Sequence, residues 1–138
     1  RYAVLAVFMP VIAGQGGNSG SQTVSLLVRG IALGEIGTGQ GARALTKEAA
    51  LGLLHGISIG ILVGVIAFFW QGSLEIALIV GVSMVLSMVV AGISGVVIPL
   101  GLRKVGLDPA LSANIWMTTV TDVAGFFFLL GLASWLLL

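Results

Sequence analysis

The residue whose type and position most invite chemistry is Asp122, in Thr118-Thr119-Val120-Thr121-Asp122-Val123-Ala124-Gly125. It falls about halfway along an apolar stretch that runs from Pro109 to Leu138. A carboxylate at the centre of a membrane helix costs roughly 2.5–3.5 kcal/mol on insertion scales. No Lys or Arg stands inside any apolar stretch to pair with it. Three outcomes remain open: Asp122 is protonated and bonded to a neighbouring helix, it faces water, or it binds a cation. Asn114, Thr118 and Asp122 are four apart and share a helical face with Gly125. A polar stripe around an unpaired carboxylate suits the lining of a pore or transport path.

A second polar constellation spans Pro10 to Gln22. Pro10 removes a helical hydrogen bond, and Gly14, Gly16, Gly17 and Gly20 loosen the backbone. Asn18, Ser19, Ser21 and Gln22 add donors and acceptors. Together they predict a broken span, or a loop between two short segments. Non-helical backbone at membrane depth survives where protein buries it or where it lines a cavity, and such breaks often carry ion sites. No Lys follows the glycines as in a phosphate-binding loop. Asp108-Pro109 reads as an N-cap with proline in the first turn. Glu48 reads as a carboxylate near a helix N-terminus, and His55 as a hydrogen-bonded helix residue. No Ser–His–Asp or Cys–His set is arranged for catalysis, so the chain is not expected to be an enzyme.

The elements that must position these residues follow from composition. Of 138 residues, 58 % are apolar and 8 % charged, with a mean hydropathy of +1.18. A water-facing domain carries about 25 % charge, and a nucleic-acid binder needs a basic stripe. Both classes are excluded in favour of a protein of the lipid bilayer. Four apolar segments are predicted, at about 2–28, 49–70, 74–102 and 109–138, the first broken by its Gly-rich polar stretch. Each approaches or exceeds the roughly 20 residues needed to cross about 30 Å of hydrocarbon. The fold class is therefore all-α, a polytopic membrane helix bundle of about four transmembrane segments. The short link Gln71–Ser73 makes segments two and three an antiparallel hairpin.

Alternating spans put Arg29, Arg43, Lys47, Arg103 and Lys104 on one side. The positive-inside rule then makes loop 29–48 and the Arg103-Lys104 pair cytoplasmic in a cell (inner) membrane protein. Arg1 falls on the far side, and Trp70 and Trp135 fall where an outer aromatic belt would lie. Gly52, Gly56, Gly60 and Gly64 form one small-residue row; Ser83, Ser87, Ala91 and Gly95 form another. Such rows let backbones approach closely, and the two are expected to meet each other or a symmetry mate.

Read together, Pro10…Gly14-x-Gly16-Gly17-Asn18-x-Gly20-x-Gln22 and Arg29-Gly30 resemble the second transmembrane helix of MgtE-type magnesium channels. Lys47-Glu48 before a glycine-rich span is similar to their third helix. Asp108-Pro109-Ala110…Asn114 followed by Thr121-Asp122-Val123-x-Gly125 resembles their fifth. The resemblance covers nearly the whole chain. The family's membrane domain has five helices, so the resemblance implies that this chain lacks the first helix and the cytoplasmic regulatory domains, either by truncation or, as in some family members, by nature. It also implies a homodimer with a pore between subunits, lined by the segments holding Asn18 and Asp122. Asp122 would bind largely hydrated Mg2+, beside Asn114 and Thr118, with Asn18 at the polar break and Asp108 near the cytoplasmic mouth. The bulky pair Ile115-Trp116 departs from the family pattern.

One Asp122 per chain gives −1, and a two-fold axis gives −2, which suits a divalent ion. Mg2+ sheds water reluctantly, so two carboxylates would hold it through its water shell. The expectation is a channel for Mg2+, with Mn2+, Co2+ or Ca2+ as further candidate ions. The rivals are a cation-coupled secondary transporter using Asp122 as its ion or proton site, and a structural subunit held by its glycine faces.

Overall fold

The computed structural model describes residues 2–37 and 39–138, so Arg1 lies outside the described residues. Four helices follow one another: α1 (Tyr2–Ala32), α2 (Gly41–Gln71), α3 (Leu74–Lys104) and α4 (Pro109–Leu137). There is no strand among the described residues. Helices α2, α3 and α4 are each long and apolar enough to cross a membrane. At 31 residues α1 matches α2 and α3 in length, or about 46 Å at 1.5 Å per residue, but it carries the polar stretch.

The break expected in the first segment does not occur: α1 is continuous from Tyr2 to Ala32, through Pro10 and all four glycines. The only glycines with positive φ among the described residues are Gly34, Gly72 and Gly106, all outside the helices. An unbroken helix keeps its backbone groups paired, which a membrane demands. The glycines of α1 serve close approach instead. A β-carbon on Gly16 would stand 2.9 Å from Ser87 Oγ, and one on Gly20 would collide with the Met117 side chain. The loop expected over 29–48 also shrinks, to residues 33–40. Arg29, Arg43 and Lys47 sit on helical turns that extend past the apolar spans.

The turns are closed by specific caps. Gly72, at φ 63°, ends α2 in the left-handed conformation and donates its N–H to Phe68 O at 2.8 Å. Ser73 then caps α3, its hydroxyl accepting from Ile76 N–H at 3.3 Å. Asp108 caps α4 by accepting from Ala110 N–H at 3.0 Å, with Pro109 following in the first turn. Arg103 donates from Nη1 to Ile36 O at 3.2 Å, which ties the 33–40 loop to the end of α3.

Helix α3 is central and packs against α1, α2 and α4, while α1 and α4 also pack together. The glycine row of α2 does lie against α3, but against a different row from the one expected. Gly52 meets Met88 and Val89, Gly56 meets Val85, Gly60 meets Gly81, and Gly64 meets Ala77. Ser83 and Ser87, the small residues expected to receive it, are fully buried, and Ser87 and Gly95 face Gly16 and Thr23 of α1. Two rows of α3 are therefore small, one against α2 and one against α1. Leu5, Phe8, Ile12, Ile79, Met84 and Leu129 fill an apolar core at the end where Phe8 meets Trp70 edge-on at 6.1 Å. Val24, Ala91, Ala113 and Met117 fill a second core nearer the basic end.

Candidate functional site

Between the two apolar cores lies a layer of hydroxyls. Ser83, Ser87 and Thr121 are all fully buried there. Thr121 folds its hydroxyl back onto its own helix, donating to Met117 O at 3.0 Å or Thr118 O at 3.1 Å. Its outer surface meets α1: β-carbons on Gly16 and Gly17 would stand 3.5 Å from Thr121 Cβ and 3.6 Å from Thr121 Oγ1. One turn further, Gly125 lies on the backbone of Ala13, where a β-carbon on the glycine would stand 3.3 Å from Ala13 Cα. These contacts fix the register of the antiparallel α1–α4 seam.

Asp122 follows Thr121 directly and is half-buried beside this seam. Among the described residues no hydrogen bond or ion pair engages its carboxylate. Asn114 and Thr118 continue the row toward the basic end, both exposed. Thr118 donates its hydroxyl to Asn114 O at 2.9 Å, leaving its lone pairs outward. Gly125, expected on the same face, turns inward instead and is buried. Exposed Leu111, Ile115, Val123 and Phe127 flank the polar row. On α1, Asn18 is exposed with Gly14 on the side away from the core. Asp108 is exposed at the start of α4, where its side chain is already the N-cap. The structure thus brings Asn114, Thr118 and Asp122 onto one edge of α4, leaves Asn18 on the adjacent helix, and holds Asp108 at the basic end. No three His, Cys, Asp or Glu side chains converge within one chain among the described residues.

Glu48 takes a place that reading it as an N-terminal carboxylate missed. It lies seven residues inside α2, is 9 % exposed, and reaches Thr23 of α1, whose hydroxyl donates to Glu48 Oε2 at 3.2 Å. The signal was available: Glu48 heads the row Gly52, Gly56, Gly60 and Gly64, so it had to share their packed face.

Residues 9–132 match the MgtE family, described as divalent cation transporter. A protein of Thermus thermophilus named magnesium transporter MgtE is 37 % identical over 134 residues, covering 96 % of this chain and 29 % of that protein. Proteins of the same name from Enterococcus faecalis and Bacillus subtilis are 30 % and 28 % identical, over 96 % and 97 % of this chain and 29 % and 30 % of their own lengths. The chain therefore spans less than a third of the length of these relatives.

Proposed function

Because the chain belongs to the MgtE family of divalent cation transporters and is a multi-pass membrane protein, we propose that it forms the ion-conducting part of a Mg2+ channel. In this reading two copies face each other through the exposed edges of α1 and α4. The observation that carries it is Asp122: mid-helix, half-buried beside the α1–α4 seam, and unengaged by any described side chain. A charge so placed in a low-dielectric region needs a counter-charge.

Two such carboxylates across a two-fold axis supply −2. Mg2+ keeps several waters, so the pair holds it through water while Asn114 and Thr118 accept or donate to that shell. Asn18 adds a polar group from α1. Asp108 adds negative charge at the mouth, on the side that the basic residues mark as cytoplasmic. Holding an ion through its water shell leaves it free to depart, as conduction requires. The membrane is the cell's inner membrane.

The test is Mg2+ uptake by the full-length protein in liposomes. Asp122→Asn should lower uptake at least about tenfold, the effect of removing one needed charge interaction of about 1.4 kcal/mol or more. Uptake should follow the Mg2+ gradient and voltage alone. Dependence on an imposed Na+ or H+ gradient would establish the cation-coupled transporter instead. Unchanged uptake in Asp122→Asn would remove the aspartate from the mechanism.

A further inference from the structure

A second polar site lies on the opposite side of α1 from the Asp122 seam. A cavity of about 90 Å³ is lined by the polar Ser19, Gln22, Thr23, Glu48 and His55, with Leu26, Leu51 and the glycines of α2 and α3 completing its wall. The glycines create it by bringing the helices together. A β-carbon on Gly92 would collide with Glu48 O, and one on Gly52 would stand 2.6 Å from Met88 O.

Glu48 is the carboxylate of this cavity, and Thr23 is the hydrogen-bond donor it meets among the described residues. Thr23 has one hydroxyl proton, which Glu48 Oε2 at 3.2 Å and Ser19 O at 3.3 Å compete for. Among the described residues no Lys or Arg lines the cavity, and Lys47 is exposed. His55 lies seven residues along α2, about 10 Å away along the helix axis at 1.5 Å per residue. That separation is too long for an ion pair. A carboxylate buried to this degree is retained when it is paired or coordinates an ion.

We propose that this cavity binds one small monovalent cation, Na+ by its size and oxygen donors. Glu48 supplies the charge, and Thr23 Oγ1, Gln22 Oε1 and one or two waters complete the shell. Charge selects the ion. One carboxylate neutralises +1 and leaves a divalent ion with an uncompensated charge. The bound cation links α1 to α2, which otherwise meet chiefly through α3.

The experiment is thermal unfolding of the full-length protein in detergent, with NaCl exchanged for choline chloride at constant ionic strength, which removes screening as a cause. Saturating Na+ should raise the wild-type Tm by about 3 °C or more. Glu48→Gln should abolish the rise, Thr23→Val should at least halve it, and Asp122→Asn should retain it. Thr23→Val keeps the test decisive if Glu48→Gln does not fold. No Na+-specific rise in the wild type, or a full rise in both cavity variants, overturns the proposal. Loss of the rise in Asp122→Asn alone would assign the Na+ effect to the other face and overturn it equally. None of these outcomes bears on whether Asp122 conducts Mg2+.

Discussion

Thr121 lies against Gly16 across the α1–α4 seam, with 3.5 Å between Thr121 Cβ and the place a β-carbon on Gly16 would occupy. This contact sets how Asp122, the next residue of α4, stands relative to α1. At Gly16 a methyl group meets Ser87 Oγ at 2.9 Å, and a hydroxyl can rotate away. Gly16→Ala should therefore cost under about 1.5 kcal/mol and keep Mg2+ uptake within about twofold. Gly16→Leu has no such escape, because Thr121 and Ser87 are both fully buried. It should part the helices, lower stability by about 1–3 kcal/mol and reduce uptake at least tenfold. Tm and liposome uptake on the same preparations check both outcomes.

The two-copy arrangement is open to direct chemical test, because the chain contains no cysteine. Thr118 is exposed one turn from Asp122 and donates only to its own helix, so Thr118→Cys should be tolerated. If the polar edges of α4 face each other, membranes holding Thr118→Cys should form disulfide-linked dimers under mild oxidant. Trp135→Cys, also exposed on α4 but near its far end, should form fewer. Gel mobility without reductant reads the result. Equal cross-linking at both positions would point to random collision.

Much of this architecture was legible in residue types, and the misses share a cause. The four apolar stretches, the Gln71–Ser73 turn and the Asp108 cap came directly from hydropathy, Gly72 and Asp-Pro. The Gly14–Gln22 stretch misled because glycine loosens a free chain yet also permits close helix contact. Which role wins depends on what faces it: Ser87, Thr121 and Met117 decide for contact at Gly16 and Gly20. The α3 surface misled similarly. Ser83, Ser87, Ala91 and Gly95 formed a conspicuous row, while Ala77, Gly81 and Gly92, interrupted by Val85, did not. Only tertiary packing says which row meets which helix. Glu48 was misplaced because Lys47-Glu48 reads as a helix start, although its four-residue spacing to Gly52 already put it on the packed glycine face.

Asp108 caps α4, and in the proposed channel its charge also draws ions to the mouth; one substitution separates the two. Its Oδ1 accepts from Ala110 N–H at 3.0 Å and so caps α4, and its charge stands exposed at the basic end. Asn caps a helix about as well as Asp. Asp108→Asn should therefore keep Tm unchanged while lowering Mg2+ uptake at low ionic strength, where an exposed charge steers ions most strongly. Asp108→Ala should lose the cap as well, at a cost of about 1 kcal/mol. Uptake measured against salt concentration distinguishes them: the Asn variant should approach wild type as salt rises.

The α2–α3 contact should fail in a different way from the α1–α4 seam. A β-carbon on Gly52 would stand 2.6 Å from Met88 O, and one on Gly56 would stand 2.9 Å from Val85 Cα. Both obstacles are backbone, so no rotamer change relieves them. Even Gly52→Ala should then destabilise by about 1–3 kcal/mol, unlike Gly16→Ala, and Gly56→Leu should do so more severely. Helix α2 packs chiefly on α3 and lies away from the polar edge of α4. The Gly52→Ala protein that remains folded should conduct Mg2+ with the wild-type preference over other divalent ions. Its Tm should fall by several degrees. Altered selectivity at unchanged Tm would instead mean that α2 shapes the ion path, and would require a pore bounded by the glycine row rather than by Asp122.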